Sequence, residues 1–370
     1  MKRRLKIAQV GSRGIPGHRG GVERVIEAVA PRLVEFGHDV IVYCATWGEY
    51  RQPLYKGVRL QYIYSIRSKY LDTFVRSILS TIREISSASD VVHFHSSGSA
   101  PLALLARLFG KKVVVTVHGL DWQRRKWGAF AQWFLQLGER AAVRLPHRTI
   151  VVGLELKRIL DQRYKTNVVY IPNGVEGRTG REVDQIRKFG LGTRDYILYL
   201  ARLVPEKQCH VLIEAFRNVA RREGLKLVVA GPEWHSANYV ASLHHMAAGD
   251  ASIVFTGEVN EEELEELYTN CYAYVLPSEV EGMSLALLDA MAFGACVVAS
   301  DIPPNVDVVG DSGVFFATGN SADLTRKLED LIGDPERAEH YRRAGRQRMT
   351  NEFHWDKIAR KWEDVYLGLF

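Results

Sequence analysis

The sequence predicts an α/β protein built from two doubly wound, Rossmann-like domains. Three observations support this prediction. The chain has 370 residues, which is too long for one ordinary hydrophobic core. Short apolar segments typical of buried parallel strands alternate with helical patterns in both halves, as they do in βαβ units. Between the halves, residues 168–175 combine a strand pattern with a Pro-Asn-Gly turn, which is the punctuation expected at a domain boundary.

The composition is that of an ordinary globular protein, with 46% hydrophobic and 25% charged residues. No apolar run approaches the roughly 20 residues that span a bilayer, and the basic N-terminus leads into a strand pattern instead of a signal-peptide core. We therefore expect a cytoplasmic protein. The four cysteines show no paired spacing, so neither a disulfide framework nor a zinc site is predicted. They are Cys44, Cys209, Cys271 and Cys296.

Charge is divided unevenly along the chain. Residues 1–172 contain 28 Lys and Arg against 12 Asp and Glu, whereas residues 173–370 contain 21 against 31. This asymmetry favours an anionic partner or an anionic membrane on the first half only. The alternative is that the basic residues are simply solvated faces of helices.

The first half begins with a predicted strand at residues 5–10 and a glycine-rich loop at 11–21, followed by a helix at 22–36. Such a loop lets a ligand approach the backbone beside a helix start. Its glycines do not fit the G-x-G-x-x-G spacing, and no acid ends the next strand, at 38–44. A dinucleotide-dependent oxidoreductase is therefore the weaker alternative.

The rest of the first half continues the alternation of strands and helices. Strands are predicted at 58–64, 90–95, 112–117 and 148–152, and helices at 69–87, 101–109 and 130–144. Ligands are expected at the carboxyl ends of such strands. Two ends carry histidines, His93 with His95 and then His118, from which a metal site can be constructed. No carboxylate or cysteine spacing supports that alternative, so no metal site is predicted.

Residues 121–144 place aromatic side chains beside a basic cluster. The aromatic residues are Trp122, Trp127, Phe130, Trp133 and Phe134, and the cluster is Arg124, Arg125 and Lys126. This combination could dip into an anionic lipid interface. A core helix with its charged side outward explains the same pattern.

In the second half, a connector at 177–188 leads to a strand at 196–201 and a helix at 209–222. Arg202 and Lys207 flank the turn between them. Two fixed cations at the carboxyl end of a strand suit a pyrophosphate whose charge grows as it leaves, and they need no metal. Surface cations on a turn are the alternative.

Further strands are predicted at 225–230, 253–256 and 272–276, and a last helix at 355–369. The first of these strands ends at Gly231, and the second is followed by Gly257-Glu258-Val259. Acids at 261–266 are expected to form a solvated helix start rather than a site.

Residues 277–300 combine a loop, an apolar helix from about Met283 to Gly294, and a strand at 296–299. The helix is hydrophobic on nearly every side, which predicts burial, and its one charge is Asp289. Glu281 lies in the loop, eight positions earlier. Between the two acids, four backbone N–H groups form a positive helix start that suits a phosphate. They belong to Gly282, Met283, Ser284 and Leu285. The alternative is a buried helix without a binding role that carries a single acidic residue.

The segment PSEVEGMSLALLDAMAFG resembles the acid-x7-acid signature of the retaining GT-B glycosyltransferases of family 4. The resemblance implies that Glu281 contacts the donor sugar, that the helix start holds the diphosphate, and that Asp289, which replaces the usual Glu, contacts the ribose. Arg202 and Lys207 match the family's R-x4-K, and His118 matches a histidine at the donor-sugar pocket, where a neutral imidazole could both donate to and accept from a hydroxyl.

Other positions match the family at its ligand-binding loops. Gly20 and Gly21 resemble its N-terminal Gly-Gly loop, and Asn173 lies in its P-N-G-V crossing between domains. Gly231 ends a strand of the donor domain, and Val259 lies in the segment that edges the base.

The resemblance implies two Rossmann-like domains facing a cleft. Residues 1–172 with about 355–370 would bind the acceptor, and residues 173–354 the nucleotide-sugar. A sugar would pass, with retention, from a nucleoside-diphosphate sugar to a glycan, lipid-linked or polysaccharide-precursor acceptor. No further cofactor and no nucleic acid would take part, and peripheral contact with an anionic membrane would be possible. A non-catalytic protein that keeps the fold is the main alternative.

Overall fold

The computed structural model describes residues 3–17, 20–48, 50–65, 72–120, 122, 128–220, 224–233 and 236–370. Within it the chain forms two α/β units. The first contains residues 1–174 and 355–370, and the second residues 175–354. The two sheets and their surrounding helices confirm the predicted doubly wound α/β class.

The sheet of the first unit has eight strands in the order β3-β4-β2-β1-β5-β6-β7-β8. All neighbours pair in parallel except β3 with β4. Successive strands are added outward from β1, first on one side and then on the other. The topological switch point of the sheet, where the direction of this addition reverses, therefore lies between β1 and β5. The strands are β1 (Lys6–Val10), β2 (Asp39–Ala45), β3 (Leu54–Tyr55), β4 (Val58–Ile63), β5 (Val91–His95), β6 (Lys112–Val117), β7 (Arg148–Val151) and β8 (Val169–Tyr170).

Among the described residues of this unit, six α-helices cover the sheet. They are α1 (Gly21–Glu35), α2 (Asp72–Ile85), α3 (Leu102–Leu108), α4 (Ala129–Arg144), α5 (Leu154–Tyr164) and, from the end of the chain, α13 (Trp355–Leu367). The last helix packs on α1, where Arg32 and Asp356 form an ion pair of 2.7 Å. The short β3 was not predicted. The predicted start of α2 falls partly on residues 66–71, outside the described residues.

The sheet of the second unit has six parallel strands in the order β11-β10-β9-β12-β13-β14. Its switch point lies between β9 and β12. The strands are β9 (Tyr196–Leu200), β10 (Lys226–Ala230), β11 (Ile253–Gly257), β12 (Ala273–Leu276), β13 (Val297–Ser300) and β14 (Val314–Phe316). The helices are α6 (Cys209–Asn218), α7 (Ala237–Ala247), α8 (Glu261–Asn270), α9 (Leu285–Ala292), α10 (Pro303–Val309), α11 (Ser321–Ile332) and α12 (Pro335–Glu352). Short 3₁₀ turns occur at Ser97–Ser99, Gln185–Phe189 and Pro205–Lys207.

Several predicted helix ends differ from the structure by a few residues, and two of these differences have a clear physical reason. α6 ends at Asn218 instead of residue 222, because Val219 adopts an extended conformation. α9 begins at Leu285, two residues after the predicted start at about Met283, because the hydroxyl of Ser284 accepts a hydrogen bond from the N–H of Leu287 and so caps the helix there. The prediction that α9 is buried is confirmed, since residues 287–292 are all buried.

The acidic start of α8 was predicted to be solvated, and this is wrong for two of its residues. Glu263 and Glu266 are buried. Glu263 closes a capping box with Asn260 and pairs with Lys188. The carboxylate of Glu266 accepts hydrogen bonds from the backbone N–H groups of Asp184, Gln185 and Ile186, so it fixes the connector that leads into the second sheet.

Burial by itself would raise the pKa of the Glu266 carboxyl, but the three N–H donors outweigh it and hold the pKa below its usual value. A lowered pKa in the folded state means that the carboxylate stabilises the fold above the unfolded pKa of about 4.3. This contribution is lost as the pH falls through the folded pKa.

None of the helices in the described part of the chain is both long and apolar enough to cross a membrane.

Replacing Glu266 with Ala is expected to lower the free energy of unfolding by about 3 kcal/mol, because three buried N–H donors lose their acceptor. Calorimetry at pH 7 should show a fall of roughly 5–10 °C in the thermal midpoint. Glu261→Ala, at an exposed position of the same helix, is the control and should shift the midpoint by less than about 1 °C. Equal midpoints for the two variants would refute the role of Glu266.

Candidate active site

The candidate donor site lies at the switch point of the second sheet, where β9 and β12 are neighbours. Ligands of open parallel sheets bind at this place, outside the carboxyl ends of the strands. Arg202 and Lys207 follow β9, and Glu281 follows β12. The ammonium group of Lys207 forms an ion pair and a hydrogen bond with the carboxylate of Glu281. The structure therefore brings these two predicted residues together.

The ion pair is largely shielded from solvent, with the Lys207 side chain 14% exposed and the Glu281 side chain 9% exposed. An ion pair in this position costs desolvation, which direct hydrogen bonding offsets only in part. Both charges therefore keep a strong tendency to bind further polar groups.

Two buried tyrosines support the turn after β9 from below. The hydroxyl of Tyr199 donates to the carbonyl of Arg202, and the hydroxyl of Tyr274 donates to the carbonyl of Leu200, each at 3.3 Å. Burial raises the pKa of Tyr274 well above its usual value, and the nearby carboxylates of Glu281 and Asp289 add to the rise. Both tyrosines therefore remain protonated donors.

A second set of contacts joins the two loops of the site. The N–H of Glu279 donates to the carbonyl of Glu206 at 3.0 Å, and the amide of Gln208 donates to the Glu279 carboxylate at 3.0 Å. Gln208 adopts a left-handed conformation with φ 49°, which costs a non-glycine residue roughly 1–2 kcal/mol. The bond to Glu279 holds the Gln208 side chain in this turn. Sequence reasoning missed this contact.

Arg202 lies beside the ion pair in sequence but differs from it in environment. Its side chain is exposed, and the guanidinium makes no ion pair or hydrogen bond with the described residues. The Arg202 carbonyl is held by Tyr199 and by the N–H of Val204. A fixed backbone thus carries a cation that the described residues do not neutralise.

The predicted amide cradle lies at the start of α9, with Gly282, Met283 and Ser284 before the helix and Leu285 as its first residue. The first N–H groups of a helix have no partner inside it, and Ser284 satisfies only that of Leu287. The helix dipole adds partial positive charge here.

Asp289 lies in the second turn of α9 and is 4% exposed. The charge of Asp289 raises the pKa of the buried Tyr274, as the charge of Glu281 does. The two acids of the predicted signature therefore border one region of the second unit.

Gly231 and Val259 lie at the carboxyl ends of β10 and β11 on the same sheet. A Cβ on Gly231 would lie 1.9 Å from the carbonyl oxygen of Ala201, and the φ of Gly231 is 144°. Only glycine fits there, because the end of β10 lies very close to the backbone of Ala201, the residue before Arg202. Val259 is half-buried and precedes the cap of α8.

In the first unit, Gly20 and Gly21 form the start of α1. Gly20 is the N-cap, and the helix begins at Gly21 rather than at the predicted Val22. The loop before them passes close to β5, since a Cβ on Gly11 would lie 2.8 Å from the carbonyl oxygen of His95. Residues 18–19 of the loop lie outside the described residues. Asn173 is buried in the Pro-Asn-Gly turn after β8.

His118 follows β6 and is partly buried. Burial lowers the pKa of its imidazole to about 4, so it is neutral at physiological pH. The alternative metal site does not fit, because both ring nitrogens of His93 are bonded, to Tyr366 at 2.6 Å and to Thr116 at 2.7 Å. Across the part of the chain that is described, no group of three or more His, Cys, Asp and Glu could hold a metal ion.

The proposed lipid-facing segment is described only in part. The basic cluster of residues 124–126, together with Trp127, lies outside the described residues, as does the side chain of Phe130. Trp122 donates to the buried Glu139 at 2.8 Å, and the ring of Phe134 contacts Phe74. Trp133 is 55% exposed.

Two family models match the chain. "Glycosyl transferases group 1" matches residues 183–348, and "Glycosyltransferase Family 4" matches residues 19–177. The two matched segments lie in different halves and together span most of the sequence.

Relatives and solved structures agree with these matches. The chain is 26% identical to a GDP-mannose-dependent alpha-(1-6)-phosphatidylinositol monomannoside mannosyltransferase of Mycolicibacterium smegmatis, covering 95% of this chain and 96% of that protein. It is 27% identical to a glycogen synthase of Mycobacterium tuberculosis, covering 94% and 80%.

Sucrose-phosphate synthase from Thermosynechococcus elongatus superposes with a TM-score of 0.84 at 20% identity, covering 99% of both chains. Anabaena HepE, solved with UDP and glucose, gives 0.79 at 15% identity, covering 98% of this chain and 99% of that one. These structural matches support the fold. The two family matches, which together span most of the chain, show that it is a nucleotide-sugar-dependent glycosyltransferase of the GT-B fold and belongs to the group 1, family 4 glycosyltransferases.

Proposed function

We propose that this enzyme transfers a sugar from a nucleoside diphosphate to an acceptor hydroxyl with retention of the anomeric configuration, and that the second unit binds the donor. The observation that carries this proposal is the shielded Lys207–Glu281 pair at the switch point of the second sheet. A carboxylate and an ammonium group held together beside a helix start can bind a sugar and a phosphate side by side.

The leaving group is a diphosphate whose negative charge grows as the glycosidic bond breaks. Lys207, Arg202 and the N–H groups at the start of α9 supply the positive charge that binds it. Because the turn after β9 is fixed by Tyr199 and Tyr274, these groups need little rearrangement during the reaction. Such pre-organised charge is usually the largest contribution to catalysis of this kind.

The two acids bind hydroxyl groups of the donor. Glu281 accepts hydrogen bonds from the sugar, while the ion pair with Lys207 holds its carboxylate in place. Asp289 accepts from the ribose, and its shorter side chain places the ribose closer to α9 than Glu would. Gly231 and Val259 border the base. At the ends of β10 and β11, main-chain atoms can form hydrogen bonds with the base.

Retention requires that the acceptor attack from the face that the diphosphate leaves. In this proposal an oxygen of the departing phosphate takes the acceptor proton, so no nucleophilic side chain is used. The new glycosidic bond forms as the bond to the phosphate breaks, and the proton remains on the released diphosphate. The family resemblance supports this course.

The first unit binds the acceptor, and its charge indicates which kind. The excess of basic residues in 1–172 favours an anionic acceptor such as a lipid-linked pyrophosphate or an acidic glycan precursor. Helices α2, α3 and α4, with the C-cap residue of α3, also expose large apolar side chains: Phe74, Ile82, Leu104, Leu108, Phe109, Trp133 and Leu137. Apolar side chains among basic ones suit peripheral contact with an anionic membrane from the cytoplasmic side.

The non-catalytic alternative and the dinucleotide alternative are both less well supported. Arg202, Lys207 and Glu281 are all present, and two of them are in contact. The family membership favours sugar transfer over hydride transfer.

Lys207→Ala and Glu281→Ala should each reduce kcat at least about a hundredfold, because each removes a charged group that acts in the transition state. Initial rates with a panel of nucleotide-sugars and an isolated membrane acceptor fraction provide the measurement. Lys361→Ala, at an exposed position of α13, is the control and should keep the wild-type rate. Near-wild-type turnover of both site variants, with unchanged thermal midpoints, would refute the site.

Asp289→Asn should weaken binding of the nucleoside diphosphate about 10- to 100-fold, since it replaces a charged acceptor with a neutral amide. Calorimetric titration of the 2′,3′-dideoxy nucleotide tests whether the ribose is the partner. Wild type and variant should bind that analogue equally. A loss of the same size with the dideoxy nucleotide would show that Asp289 does not contact the ribose.

The doubly substituted variant Leu108→Ser with Trp133→Ser should bind vesicles of anionic phospholipid at least about threefold more weakly, because both apolar side chains leave the interface. Co-sedimentation at low and high salt provides the measurement, and binding of wild type should fall with salt. Leu154→Ser, which removes an exposed leucine from α5, is the control. The membrane proposal would be refuted if the wild-type protein did not sediment with the vesicles at low salt.

A further inference from the structure

Three side chains at the carboxyl ends of the central strands of the first unit form a hydrogen-bonded array. The carbonyl oxygen of the Gln9 amide lies 2.7 Å from Nε2 of His95. Nδ1 of His95 lies 3.4 Å from Nε2 of His118. Gln9 is on β1, His95 ends β5, and His118 follows β6, so the array crosses three neighbouring strands.

The inner end of the array is held by the last helix. The Gln9 amide nitrogen donates to the hydroxyl of Tyr366 at 3.2 Å, and Tyr366 contacts Nδ1 of His93 at 2.6 Å. Trp362 stacks on the ring of His95, with centroids 5.6 Å apart and planes at 22°. Gln9, His95 and His93 are all buried, so none of these bonds is exchanged with bulk water.

The direction of the hydrogen bonds follows from the protonation states. Burial lowers the pKa of His93 and His95 well below 6.5 and that of His118 to about 4, so all three rings are neutral at pH 7. A neutral imidazole has one N–H and one lone pair. The Gln9 carbonyl can only accept, so His95 carries its hydrogen on Nε2.

The lone pair of His95 therefore lies on Nδ1, and the ring of His118 must donate to it from Nε2. This leaves Nδ1 of His118 as a lone pair, which has no partner among the described residues. The sequence-based expectation that His118 both donates and accepts at a substrate hydroxyl is thus revised by the geometry.

We propose that Gln9 and His95 are positioning residues that fix His118 as the Nε2–H tautomer, so that His118 meets its substrate only as a hydrogen-bond acceptor, from a hydroxyl group. The identity of that hydroxyl, on the sugar or on the acceptor, rests on the proposed function. The tautomer does not. The opposite tautomer would require the Gln9 amide to rotate and every bond of the array to reverse, because the donors and acceptors alternate along it.

The tautomer can be measured directly in the full chain labelled with [¹⁵N]histidine. Comparison with a His118→Asn sample identifies the His118 signals, since only these disappear. At pH 7 we expect Nδ1 of His118 to show the shift of an unprotonated nitrogen and Nε2 that of a protonated one. Protonated Nδ1, or averaged shifts for the two nitrogens, would overturn the proposal.

Two substitutions of His95 separate positioning from packing. His95→Phe keeps an aromatic ring against Trp362 but removes the acceptor, so the His118 shifts should average and kcat should fall about tenfold, as for one lost hydrogen bond. His95→Asn can place an amide oxygen where Nδ1 lies and should keep the tautomer and most of the rate. The KM for the donor should change less than kcat in both variants.

Unchanged His118 shifts in His95→Phe, or equal rate losses in both variants, would reduce His95 to a packing role and refute the proposal. Thermal midpoints of both variants show whether each is folded. If the enzyme transfers no sugar under any condition, the proposed function fails, but the nitrogen shifts still decide the tautomer.

Discussion

The donor site depends on the ion pair between Lys207 and Glu281, because it joins two loops that are 74 positions apart in sequence. Each loop is the exit of a central strand, and the strands β9 and β12 are neighbours because the winding of the sheet changes direction between them. The fold thus brings the two loops together, and the ion pair fixes the side chains of Lys207 and Glu281. The helix α9 begins four residues after Glu281, so its dipole adds positive charge to the same region.

The support beneath this pair is made of hydrogen bonds from neutral donors. Tyr199 and Tyr274 hold main-chain carbonyls of the turn, and Gln208 holds Glu279. Such contacts cost little to form in a ligand-free protein, and they keep charged groups where a diphosphate needs them. The first unit follows the same plan with different chemistry, since Gln9 and His95 hold His118 through neutral donors and acceptors.

How much could be predicted from the sequence depended on the distance between partners along the chain. Alternating strands and helices, the buried nature of α9, and the cations after β9 are all local patterns, and they were predicted. The start of α9 was missed by two residues because Ser284 competes with Met283 for the helix end through its cap. The burial of Glu266 was missed because its donors are about 80 residues earlier. The tautomer of His118 depends on Gln9 and Tyr366, 357 positions apart, and no local pattern reveals such a contact.

The central claim is that Arg202, Lys207 and the start of α9 bind the diphosphate of the donor. The most direct test compares the affinities of a nucleoside diphosphate and the corresponding monophosphate for wild type and for Arg202→Ala with Lys207→Ala. The account predicts that wild type prefers the diphosphate at least about a hundredfold, and that the double variant loses this preference while its affinity for the monophosphate is nearly unchanged. An equal preference for the diphosphate in both proteins would contradict it.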